Sequence, residues 1–174
     1  MIKFLVVGDS CTDIHIYGEC NRLSPEAPVP ILNPIKKIKT GGMAKNVMSN
    51  LIKIGAEVQI ITNPNNIKKI RYADYCKGFL TEEDIDFLIQ YNKNIFLDTK
   101  KILGDWVYGV DFVKINEKEY DKTKKSIDDK KLYDKLIITR GSRGCQYRNK
   151  MYSVLPVDGV KDYSGAGDTF LSGF

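Results

Sequence analysis

Asp162-Tyr163-Ser164-Gly165-Ala166-Gly167-Asp168-Thr169-Phe170 is the stretch on which the reading of this chain turns. Two glycines flank an alanine directly before an apolar segment, which suits a loop that opens a helix. Glycine lets backbone N–H groups face a ligand with no side chain in the way. A helix N-terminus adds positive dipole, so an anion belongs there. Phosphoryl transfer needs such a cradle, because charge spreads over the oxygens of the moving group. Asp168 follows at once, and its carboxylate is placed to accept the proton of an incoming hydroxyl. Read alone, the same residues also make a Gly-rich turn with Asp168 as a first-turn helix acid.

Upstream, Gly41-Gly42-Met43-Ala44-Lys45-Asn46 reads as a second loop-to-helix entry. Glycines at a helix start let a ligand approach the backbone, and the Asn46 amide can both donate to and accept from a hydroxyl. The helix is expected over about 42–54, with Met43, Val47 and Leu51 on one face and Gly55 closing it left-handed. The first strand, Lys3 to Gly8, is a continuous apolar run of the kind buried on both faces. It ends in Gly8-Asp9-Ser10-Cys11-Thr12-Asp13, where α/β proteins place ligands. The alternative for Asp9 or Asp13 is a turn cap.

From Asp13 to Ile38 the pattern alternates weakly between prolines 25, 28, 30 and 34, which predicts edge or lid strands. Further on, Thr81 with Glu82, Glu83 and Asp84 predicts a helix N-terminus. Short strands are expected at 95–98, 111–115 and 135–139, with a closing hairpin over 145–157. Strands alternating with helices predict an α/β fold with a mostly parallel sheet.

Composition sets the broad class. The 174 residues are 43% apolar and 28% charged, the profile of a globular domain. The net charge is +5, but lysines mix with acids, as in Lys122 to Lys131, which reads as a solvated face and not as a nucleic-acid groove. No stretch suits a signal peptide or a membrane span, so a cytoplasmic protein is expected. Cys11, Cys20, Cys76 and Cys145 form no Cys-x-x-Cys pair, and with His15 as the one histidine no zinc set is available. Gly8-Asp9-Ser10 does not supply the Gly-x-Gly-x-x-Gly of a dinucleotide site.

Gly165-Ala166-Gly167-Asp168-Thr169, preceded by Asp162, resembles the C-terminal signature of the ribokinase/PfkB sugar kinases. Gly41-Gly42 with Asn46 resembles that family's N-terminal element, in the expected order. The resemblance implies a ribokinase-like fold: a mostly parallel central sheet flanked by helices, with a small β lid over about 13–38 in a single domain spanning 1–174. It implies ATP as phosphoryl donor and Mg²⁺ as cofactor. Asp168 becomes the catalytic base, with Gly165, Ala166 and Gly167 cradling the phosphate. Asp13, Gly41, Gly42, Asn46 and Arg71 become sugar-phosphate contacts.

Asn116-Glu117-Lys118-Glu119 matches the family's Asn-x-x-Glu motif, which organises Mg²⁺ and phosphates through water, in keeping with the hydration that Mg²⁺ retains. The same spacing is also a helix capping box. By the same resemblance Lys100, Thr139 and Gly141 border the nucleotide.

Arg22-Leu23-Ser24-Pro25-Glu26-Ala27-Pro28-Val29-Pro30 resembles the lid of D-glycero-D-manno-heptose-7-phosphate kinases, as does the segment Asp74 to Thr81. The implied reaction is phosphorylation of that sugar phosphate at the anomeric hydroxyl, in nucleotide-activated heptose synthesis. Partners are then small molecules, with neither nucleic acid nor membrane, and with a homodimer through the lid. Family members run to about twice a ~150-residue domain, so further units are expected between Thr62 and Tyr72 and after Phe174. The alternative is a non-catalytic sugar-phosphate or nucleotide-binding remnant of such a kinase.

Overall fold

The computed structural model describes residues 2–62, 80–155, 159 and 164–173, and the chain divides into two compact units, 1–70 and 71–174. In the first unit, β1 (Lys3–Val7) pairs in parallel with β4 (Glu57–Ile61), from Lys3↔Glu57 to Val7↔Ile61. Between them in sequence lie β2 (Ser10–Leu23), β3 (Pro30–Met43) and α1 (Ala44–Lys53). β2 and β3 form a long antiparallel hairpin with register shifts after Tyr17 and Glu19. Pro30 and Pro34 fall in β3, and a two-stranded ribbon tolerates their missing N–H donors because each strand keeps an open edge.

Two expectations for this unit change. Phe4 and Leu5 of β1 are 36% and 50% exposed, so the strand is not buried on both faces within the unit. Its described neighbours there are β4 and α1, which cannot cover both sides of a two-stranded sheet. Gly41 and Gly42 do not start the helix either. Pairing with β2 continues through Cys11↔Gly42 and Ser10↔Met43, so the glycines end β3. Met43, with φ 58°, then turns the chain into α1. Gly55 closes that helix with φ +89°, as expected.

The second unit holds a five-stranded sheet in the order β5-β6-β7-β8-β9. β5 (Phe96–Asp98), β6 (Phe112–Asn116) and β7 (Leu136–Thr139) run parallel, while β8 (Cys145–Tyr147) and β9 (Lys150–Tyr152) return antiparallel. α2 (Glu82–Tyr91) begins in a capping box between Thr81 and Asp84, which leaves the Asp84 carboxyl below its usual range through hydrogen bonds from the Thr81 N–H and hydroxyl. α3 (Glu117–Thr123) and α4 (Asp129–Leu132) follow β6, and α5 (Ala166–Gly173) comes last.

Alternation along the strands decides which side is the core. Val113 and Ile115 of β6, with Leu136 and Ile138 of β7, join Ile85, Leu103, Val107, Val110 and Leu132 in one buried cluster. A 3₁₀ turn at Asp105–Gly109 delivers Val107 to it. Phe112, Lys114 and Ile137 face the opposite side, where Phe170 and Leu171 of α5 share a small cleft with them. The sheet therefore has helical cover on both faces. Cys11, Cys20 and Cys145 are in no disulfide, and no helix among the described residues is long and apolar enough to cross a membrane.

Candidate active site

The sequence-derived candidates of the second unit gather at the C-terminal ends of its parallel strands. Asp98 ends β5, Asn116 ends β6 and Thr139 ends β7. Carboxyl ends of parallel strands are where an open α/β sheet leaves a ligand crevice. Lys100 lies two residues beyond β5 and is exposed.

Asn116 and Glu119 satisfy the capping reading in full. The Asn116 side chain accepts from Glu119 N at 3.0 Å, and Glu119 Oε2 accepts from Asn116 N at 2.7 Å. Glu117 beside them is gripped by two arginines. Arg140 Nη1 donates to its Oε1, and Arg143 Nη2 lies 2.5 Å from its Oε2. These partners hold the Glu117 carboxyl below its ordinary range, the Arg143 hydrogen bond contributing most. Arg140 also donates to Gln146 Oε1 at 2.7 Å, which ties the start of α3 to β8. Gly141 opens the turn between the arginines with φ +59°, a conformation that disfavours any side chain. Thr139 donates to Ile115 O at 3.4 Å.

The glycine-rich turn enters α5 as the sequence predicts. Gly165 has φ +77°, and its carbonyl accepts from both the backbone N and Oγ1 of Thr169, at 2.9 and 3.0 Å. Asp168 sits half-buried in the first turn of α5. At Gly167 a Cβ would stand 2.9 Å from Lys114 Nζ, so a side chain there would have to push the ammonium aside.

Lys114 did not stand out in the sequence. It is 9% exposed, flanked by the fully buried Val113 and Ile115, and its Nζ lies 2.7 Å from Asp98 Oδ2. Parallel pairing sets Asp98 directly beside it. The available signal was one lysine inside the run Phe112-Val113-Lys114-Ile115, since buried lysines are almost always paired. Burial pushes the Asp98 carboxyl above its ordinary value. Lys114 opposes that shift, while the charges of Glu119 and Asp168 add to it. Asp98 thus lies within electrostatic reach of one ammonium and two further carboxylates.

In the first unit, Asp13 and Gly42 are in contact range across the hairpin. A Cβ on Gly42 would meet Asp13 Oδ2 at 2.4 Å and Cys11 Sγ at 2.5 Å. Cys11 donates to Asp13 Oδ1 at 3.4 Å. Gly41 lies beside Lys45, and Asn46 is half-buried in the first turn of α1. His15 is a strand residue 3.4 Å from Thr40 Oγ1. Arg71 and Asp162 lie outside the described residues.

Residues 79–174, more than half of the chain, match the model of the pfkB family carbohydrate kinases. The chain belongs to that family. Among curated relatives it is 53% identical over 58 residues to "Bifunctional protein HldE" of Helicobacter acinonychis, covering 33% of this chain and 12% of that protein. The Wolinella succinogenes protein of the same name is 56% identical over 54 residues, covering 31% and 11%. These matches therefore span a small part of the relatives' length.

The pfkB fold is also visible in solved structures. A Methanocaldococcus jannaschii nucleoside kinase, an archaeal member of the ribokinase family, superposes with a TM-score of 0.62 at 17% identity, over 99% of this chain and 83% of that one. Ribokinase from Thermotoga maritima gives 0.58 at 15% identity, over 98% and 83%. The fold is ribokinase-like.

Proposed function

We propose that this chain transfers the γ-phosphoryl group of ATP to a sugar hydroxyl. The observation that carries the reading is the turn into α5, where Gly165 takes a left-handed conformation, Gly167 sets its bare backbone against Lys114 Nζ and Asp168 follows in the first helical turn. In this reading the hydroxyl oxygen bonds to the γ-phosphorus as the β–γ bridging P–O bond breaks. ADP departs with that bond's electrons, and the hydroxyl proton passes to Asp168. Backbone amides of Gly165, Ala166 and Gly167 receive the phosphate charge where no water has to reorganise.

Asp13, Gly41, Gly42 and Asn46 hold the sugar, with Arg71 on its phosphate. Lys100, Thr139 and Gly141 border the nucleotide. The hairpin of β2 and β3 is the lid, and its exposed Ile14, Ile16 and Ile35 suit a second copy of the chain.

Asn116 at the end of β6 and Glu119 in the first turn of α3 offer oxygen donors, each with one hydrogen bond already spent on the α3 cap. Such a pair fits a hydrated Mg²⁺, which takes one or two carboxylates and keeps several waters. When bound, the ion neutralises phosphate charge.

The substrate we favour is D-glycero-D-manno-heptose 7-phosphate, phosphorylated at its anomeric hydroxyl in the cytoplasm. Support comes from the resemblance of Arg22 to Pro30 to the lid of heptose kinases, together with the identity to proteins named HldE. The test is ADP release with heptose 7-phosphate, in wild type and Asp168→Asn. Turnover in wild type that falls by about 10³-fold in the variant, an effect of general-base size, supports the reading. Equal background rates in both would leave a binding protein in its place.

A further inference from the structure

We propose that Lys114 is a positioning residue for phosphoryl transfer: held by Asp98 beneath the first turn of α5, its ammonium sets the height of the Gly165–Gly167 turn and puts a fixed positive charge behind it. The inference rests on the kinase reading above. Three observations support it.

The first is cost. A lysine that is 9% exposed between two valine- and isoleucine-filled core positions has given up most of its hydration. Folding alone would be served as well by an apolar residue, since replacing a buried ion pair with packed apolar groups is often neutral or stabilising.

The second is contact. Lys114 Nζ stands where a Cβ of residue 167 would be crowded, at 2.9 Å. Glycine at 167 and lysine at 114 are thus one fitted pair: the missing side chain of one makes room for the other's amine.

The third is charge. The charges of Glu119 and Asp168 both act on Asp98, and a nucleoside triphosphate brings several more negative charges. Lys114 is the ammonium paired to this acidic group, at 2.7 Å from Asp98 Oδ2. Phe96, Phe112, Phe170 and Leu171 line the cleft it shares, and such apolar walls strengthen a charge's effect.

The experiment compares Lys114→Met, Lys114→Arg, Gly167→Ala and the Lys114→Met/Gly167→Ala double variant in the whole chain. Steady-state kinetics are measured, with calorimetric binding of a non-hydrolysable ATP analogue. We expect Lys114→Met to lower kcat on the order of 10²-fold, as loss of one preorganised charge does, with the sugar KM changed by less than about threefold. Analogue affinity falls by about 10-fold, and Lys114→Arg, which keeps the charge but has a larger head, recovers most of the affinity and only part of kcat.

Gly167→Ala and Lys114→Met should be strongly non-additive, because the alanine's Cβ crowds the ammonium that the methionine lacks. A merely structural lysine gives additive losses and no rescue by arginine, and that result overturns the proposal. So does a Lys114→Met protein with kcat and analogue affinity within about twofold of wild type. Should Lys114→Met not fold, Asp98→Asn decides. It keeps the ammonium but loses its clamp, so lower kcat with retained analogue binding supports the proposal, and wild-type values for both refute it. If wild type turns over no sugar, the kinase reading fails by itself, and analogue binding alone judges Lys114.

Discussion

Asn116 and Glu119 cap each other, each side chain accepting a hydrogen bond from the other's backbone N–H, at 3.0 and 2.7 Å. The exchange fixes the entry into α3 and leaves each side chain oxygen lone pairs for a ligand. Glu119→Gln keeps an acceptor for the cap but removes the charge. We expect its urea midpoint to stay at the wild-type value, while the Mg²⁺ concentration for half-maximal turnover rises. An unchanged Mg²⁺ dependence would assign Glu119 to the cap alone. Asn116→Ala, by contrast, loses the cap and should cost about 1 kcal/mol of stability.

Gly42 tests the sugar side. Its missing Cβ leaves room for the Asp13 carboxylate and the Cys11 sulfur. Gly42→Ala must displace Asp13, so the sugar KM should rise by about 10-fold, the scale of one weakened polar contact. The ATP KM should stay where it is. A change in the ATP KM alone would remove Asp13 from the sugar contacts.

Thr123 is a structural control. It is 1% exposed, and its Oγ1 accepts from Leu103 N at 2.5 Å. Thr123→Val keeps the shape and strands that N–H, which should cost about 1–3 kcal/mol in denaturant unfolding. No selective effect on either substrate's KM is expected.

Glu117 predicts a pH dependence. Arg143 and Arg140 lower its folded pKa below the ordinary 4.5, so its ion pairs stabilise the fold above that value. Their contribution is lost as pH falls through the unfolded value toward the lower folded one. Glu117→Gln should therefore melt earlier than wild type at pH 7, with the gap closing as the pH falls below the ordinary 4.5. A gap that persists at low pH would mean that packing, and not charge, holds the arginines.

Much of the second unit was legible in the sequence because its signals are local. Thr81 with Asp84, and Asn116 with Glu119, announce helix starts within four residues, and both boxes form. The turn at Gly141 and the hairpin of β8 and β9 follow from the same kind of short-range chemistry. What stayed hidden depends on pairing between distant segments. Gly41 and Gly42 belong to a strand because Thr12 and Cys11 pair with them from about thirty residues away. Lys114 stayed hidden likewise, since its meaning lies in the register that puts Asp98 beside it.

The ribbon formed by β2 and β3 carries a mechanical consequence. Each strand has 14 residues, so at about 3.3 Å per residue the arm extends roughly 45 Å from its root at Ser10 and Met43. Over that reach a swivel of about 5° at the root sweeps the Leu23–Pro30 end through roughly 4 Å. Small torsional adjustments beside Asp13 are thus geared up into large excursions at the far end.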